Sequence, residues 1–127
     1  MFADGVVAAE RLMSRVVKDG ELYVASHITG PTHNFLKLRI ADESAPYLTV
    51  RVLPPIGECS HGDPLTTADV RPWIEAGVDH ANRDLGTNYR VDYAEIVAND
   101  TPRLEVYHPL ARMIVTAAHK GDFDVKP

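Results

Sequence analysis

Residues 67–86, TADVRPWIEAGVDHANRDLG, decide how the rest of the chain must be arranged. Val70, Trp73, Ile74, Gly77, Val78, Ala81 and Leu85 recur at three- and four-residue spacing, which draws one apolar stripe down a helix. Thr67 or Asp69 can cap its start, because a short side-chain oxygen accepts a bond from a first-turn N–H. Pro72 is tolerated only in a first turn, and Gly86 can take the left-handed conformation that stops a helix. A helix with one apolar stripe must lay it against a second layer.

The neighbouring segments supply that layer, because the period changes on both sides. NYRVDYAEIV (88–97) is β-branched and aromatic, and reads as a strand. ELYVASHI (21–28), NFLKLRI (34–40) and YLTVRVL (47–53) are strand-like as well. Leu36, Leu38 and Ile40 alternate with Phe35, Lys37 and Arg39, as a sheet with one wet face requires. TGPTHN and ADESAP carry the Gly, Pro, Asn and Asp of tight connections, so these three strands are expected as an antiparallel meander.

The outer segments follow the same logic. ADGVVAAERLMSRVVKDG (3–20) reads as an amphipathic helix, with Asp4 as its cap and Gly20 as its stop. RLEVY (103–107) is expected to pair with the strand before it or to continue it. HPLARMIVTAAHKG (108–121) reads as a final helix, with Pro109 in its first position and Leu110, Met113, Ile114, Ala117 and Ala118 on its stripe. The expected fold is α+β: a two-layer sandwich of a mostly antiparallel sheet with helices on one face. One domain is expected over residues 1–121, with a flexible tail over 122–127.

Charge and composition narrow the function. The 127 residues carry thirteen basic and eighteen acidic side chains, a net charge of −5. That excludes a general duplex-DNA binder, whose affinity comes from many Lys and Arg contacts to phosphate. No polybasic run suggests a membrane surface, and the longest apolar runs fall far short of a membrane span. A single cysteine cannot form an internal disulfide. With no leader-like segment at the start, the chain is expected in the reducing cytoplasm.

No enzyme signature is present: no Gly-x-Ser-x-Gly elbow, phosphate-binding loop, dinucleotide fingerprint or His-Glu-x-x-His. Asp92 and Glu95 stand at odd spacing on a strand and are expected on opposite sides, which argues against a carboxylate pair. Of six histidines, His80 reads as a surface or boundary residue with Asp84 one turn on, and His119 as a dipole-favoured residue of a last turn. His27 lies in a strand. In PPIGECSHGDP (54–64), Cys59, His61 and Asp63 alternate, so an extended loop would aim all three to one side. Their spacing is not that of a ligand pair and no second pair lies nearby, so they are a weak metal alternative to a polar connection. No cofactor is indicated.

Three stretches carry a resemblance. GPTHNFLKLRI, VRPWIEAGVDHANRDLGTNYRVDYAEIV and VYHPLARMIVTAA together resemble domain IV of elongation factor G and related ribosome-translocating GTPases. The likeness lies in a turn and Lys37-Leu38-Arg39, in a central helix and strand, and in Tyr107-His108-Pro109-Leu110. It departs where the family has Asp-Ser-Ser-Glu after its histidine, and no GTPase segment is present. The resemblance implies a sandwich with an unusual left-handed βαβ crossover, and a tip of two loops that meets RNA. It implies that His33 and Asn34 lie near Tyr107 and His108, with Lys37 and Arg39 within reach of phosphates. The reading that follows is a non-enzymatic interaction module contacting RNA or a ribosome-associated component. A histidine-rich metal-binding protein or hydrolytic enzyme, and a homo-oligomeric scaffold, are the alternatives.

Overall fold

In the computed structural model, which describes residues 16–29, 32–41, 48–53, 67–97 and 104–127, the period-two segments become one mixed sheet. Its strands are β1 (Val17–Asp19), β2 (Leu22–Thr29), β3 (Thr32–Ala41), β4 (Thr49–Leu53), β5 (Arg90–Val97) and β6 (Asp124–Val125). Two helices, α1 (Thr67–Leu85) and α2 (Tyr107–Lys120), complete the expected α+β fold. The order across the sheet is β4-β5-β3-β2-β1-β6, so it is open at β4 and β6.

The core lies between the sheet and the helix pair. Leu36 and Leu38 of β3, Ala94 and Ile96 of β5 and Val50 of β4 are buried in one cluster with Val70, Ile74 and Ala81 of α1 and Leu110, Ile114 and Val115 of α2. The helices pack on each other; α2 rests on β2 and β3 while α1 reaches β4. Among the described residues no helix packs on the opposite face of the sheet.

Tertiary packing altered several local expectations. β2 and β3 form an antiparallel hairpin in register from Tyr23↔Leu38 to Thr29↔Thr32. The meander stops there. β5 lies between β3 and β4, antiparallel to the first and parallel to the second. The cause is α1, which carries the chain back across the layer so that Val50 and Val52 align with Ala94 and Ile96.

Leu104–Val106, expected as strand, is a 3-10 turn running directly into α2. Val106 and Tyr107 are buried there, and burial on a helical face outweighs the β-preference of Val and Tyr. Val17–Asp19, expected as the end of an opening helix, is β1. Gly20 does take the left-handed conformation (φ 64), but to turn β1 into β2 rather than to stop a helix. Residues 1–15, Asp4 included, lie outside the described residues. In the segment expected as a tail, β6 pairs in parallel with β1, and Asp124 N–H donates to Val16 O at 3.1 Å.

α1 spans the expected residues and buries most of its stripe, with one exception. Trp73, at the stripe's edge, is 38% exposed. Gly77 marks the crossing of the two helices. A methyl group there would overlap the carbonyl oxygen of His108 and stand 2.8 Å from Ala111 Cβ. The absence of a side chain at Gly77 thus sets how closely α1 and α2 approach.

Candidate functional site

Three places could carry function, and the residues expected at one tip are divided among them. The first is inside. Asn34 on β3 and Tyr107 at the start of α2, 73 residues apart, meet through Asn34 Nδ2 donating to Tyr107 Oη at 3.4 Å. Both are essentially inaccessible, at 1% and 0% exposure. The bond gives a partner to the buried Nδ2 donor, which left unpaired would cost on the order of 1–3 kcal/mol, while the Asn34 Oδ1 has no hydrogen bond among the described residues. The pair fastens the sheet to α2, and neither ring nor amide stands at a surface. His33 pairs in register with Ile28 and His27 with Asn34, but the side chains of both histidines lie outside the described residues.

The second place is the seam between the helices. His108 follows Tyr107 but turns away from the sheet and meets His80 of α1. His80 Nδ1 lies 3.0 Å from His108 Nε2, with ring planes at 87° and centroids 5.2 Å apart. On the other side of the His80 ring, Nε2 lies 3.7 Å from Asp84 Oδ2, one helical turn on. Asp84 Oδ2 in turn accepts a hydrogen bond from Arg112 Nη2 at 2.6 Å. The result is a chain His108–His80–Asp84–Arg112 along the seam. His80 and Asp84 were legible as a pair at helical spacing. Their connection to His108, 28 residues away, was not, because nothing in the sequence states that α1 and α2 cross at Gly77.

The third place is the sheet face on which no described helix packs. Phe35, Lys37 and Arg39 alternate along β3, and Tyr93 and Glu95 face them from β5, with Arg51 on β4. Glu95, largely buried, lies 3.9 Å from both Lys37 and Arg51 and accepts the Tyr93 hydroxyl at 2.7 Å. Lys37 stands 5.6 Å from the Phe35 ring and Arg39 5.4 Å from the Tyr93 ring, both cation–π distances. Arg39 grips Asp92 with two bonds, 2.9 and 3.2 Å, and lies 3.7 Å from Glu21.

Asp92 reaches this face through a bulge, which corrects the expectation that it opposes Glu95. Arg39 pairs with Tyr93 and the next residue, Ile40, with Val91, so Asp92 is the extra residue. The bulge rotates it onto the side of Glu95. The hydrogen bond that Arg39 donates to Asp92, and then the Asp92 charge, hold the Arg39 guanidinium proton more tightly than usual. Partial burial first, and the hydrogen bond to Glu95 second, push the Tyr93 phenol above its ordinary value.

Elsewhere, His119 Nδ1 lies 2.8 Å from the Tyr89 hydroxyl at the exposed end of α2. Cys59, His61 and Asp63 lie outside the described residues. Among the described residues, no group of three or more His, Cys, Asp and Glu is gathered for a metal ion. No described helix is long and apolar enough to cross a membrane.

Together these features define an α+β domain with an apolar core on one side of its sheet and a charged, aromatic face on the other. No protein-family model, curated protein or solved structure matches the chain.

Proposed function

We propose that this chain is a small non-enzymatic interaction module that takes single-stranded RNA on the face of its sheet opposite the two described helices. One observation carries the reading. Two aromatic rings, Phe35 and Tyr93, and three cations, Lys37, Arg39 and Arg51, share that face on three adjacent strands. Unpaired bases stack on aromatic side chains of a sheet while cations meet the phosphates. Lys37 and Arg39 already stand near the rings, so a base stacking there would take the cation's place and free it for phosphate. The resemblance to domain IV of the translocating GTPases favours the same ligand class, and would bring its left-handed crossover to the β4–α1–β5 unit.

The face is charge-balanced, with Glu21, Asp92 and Glu95 against the three cations. Binding would therefore rest on stacking and on about three phosphate contacts, giving a salt slope near −2 for single strands. Fluorescence anisotropy with labelled single-stranded RNA, from low to physiological salt, tests this. The expected result is weak, salt-dependent binding that falls severalfold on Phe35→Ala and on Arg51→Ala, with no preference for duplex DNA. Absence of binding at low salt, or binding indifferent to both substitutions, rejects the reading. Retained binding to a protein partner alone would place the chain among protein-interaction modules instead.

A further inference from the structure

The histidine seam has no part in the RNA reading, and its geometry points elsewhere. We propose that His80 and His108 form a two-histidine site for a divalent transition-metal ion, of the copper(II) and nickel(II) class, with Asp84 and Arg112 supporting it from behind.

The argument begins with the separation of the nitrogens. Metal–nitrogen bonds to imidazole are about 2.0–2.1 Å long. Two such bonds at a right angle put their nitrogens about 2.9 Å apart, and at the tetrahedral angle about 3.3 Å apart. His80 Nδ1 and His108 Nε2 stand at 3.0 Å. That is nearer the right angle of tetragonal copper(II) and nickel(II) sites than the tetrahedral angle of zinc. The rings now face each other nearly head-on, as in an N–H···N bond. To share a metal they must tilt by roughly 40° each, keeping the nitrogens where they are. Both side chains are half-exposed, His80 36% so, which leaves room for the tilt and an open side for water to complete the coordination.

The second part of the argument is the support behind the ligand. Metal-binding histidines characteristically donate their other ring N–H to a carboxylate, which fixes the tautomer and raises the ligand's basicity. His80 Nε2 stands 3.7 Å from Asp84 Oδ2, just beyond hydrogen-bond reach, and closing that gap on binding would hold a proton at Nε2 and leave Nδ1 bare for the metal. Asp84 is itself held by Arg112. In the 3.0 Å contact one ring donates and the other accepts, so for both nitrogens to face a metal the donating ring must carry its proton on its other nitrogen. The ligands come from two helices whose crossing is set by Gly77, so the seam presents them on rigid elements. Imidazole suits copper, nickel and zinc, and their general order of affinity places copper first.

The test is titration of the full chain with copper(II), nickel(II) or zinc(II) ions alone, followed by calorimetry and by visible absorption for copper. One equivalent is expected, with affinity in the order copper, nickel, zinc. His80→Gln and His108→Gln should each weaken binding at least tenfold. Cys59→Ser combined with His61→Gln should leave binding intact. Because both seam histidines help join the helices, Asp84→Asn supplies a second arm. It should weaken metal affinity about tenfold while leaving the metal-free melting temperature of the chain near that of the parent. No saturable binding, binding indifferent to His108→Gln, or binding abolished only by the Cys59/His61 change would overturn the proposal.

Discussion

The two faces of this sheet solve opposite problems. Toward the helices, β3 presents Leu36 and Leu38, which are fully buried, and the polar Asn34, which meets Tyr107 inside. Away from them, the same strand presents Phe35 beside Lys37, with Lys37 and Arg39 engaged by opposite charges on β5. The covered face is held by shape, and a substitution there is felt as a cavity, a clash or a stranded polar group. The other face is held by ion pairs that exchange with water and salt, so it tolerates change and can exchange partners. An interaction surface belongs on the second kind of face.

Three substitutions test that contrast, from the largest expected effect to the smallest. Gly77→Ala drives a methyl into the helix crossing, against His108 O and Ala111 Cβ. Overpacking costs about 1–3 kcal/mol, occasionally more, and a backbone atom cannot step aside. Alanine's better helix propensity returns about 1 kcal/mol. With the cost at the upper end of that range, a net loss of up to about 2 kcal/mol in urea unfolding is expected; an unchanged or raised midpoint would show that the helices do not cross so closely.

Tyr107→Phe keeps the ring and removes the partner of Asn34 Nδ2. Since that bond is long, at 3.4 Å, a loss of about 1 kcal/mol is expected. A double-mutant cycle with Asn34→Ala should show coupling, and strictly additive losses would separate the two residues.

The smallest effect lies on the charged face and is read in alkali. The Tyr93 phenol is raised in the folded chain, so the fold favours its neutral form. That contribution is intact below the ordinary phenol range, about pH 10. It is lost as the pH rises through the raised value, because the unfolded chain releases the proton first. Tyr93→Phe should therefore flatten the fall in stability above about pH 10. A parallel fall in both chains would remove Tyr93 from the account.

Much of this was legible residue by residue. The stripe of α1, the alternation in β3 and the aromatic, β-branched β5 lie close to their expected positions, because each is a local period imposed by burial on one side. What failed shares a cause. Leu104–Val106 and Val17–Asp19 are short and ambiguous, and their state was set by what they pack against or pair with. Trp73 sits at a stripe edge, where a few tens of degrees decide between core and solvent. Asp92 changed sides because one extra residue in β5 shifts the register, and period-two arithmetic assumes no bulge. The candidate site followed the same division. Lys37 and Arg39 were visible as the wet side of a strand, whereas His80 read as a surface or boundary residue and His108 as part of a tip with His33, so nothing joined the two.

The chain's own order of residues determined that it would fold as α+β, with an apolar stripe on each helix and one wet side to β3. Only the tertiary structure decided that β5 would part β3 from β4, that Asn34 would meet Tyr107 within the core, and that two histidines on separate helices would face each other at 3.0 Å. The physical reason is range: periodicity records which side of an element avoids water, but not which other element will cover it.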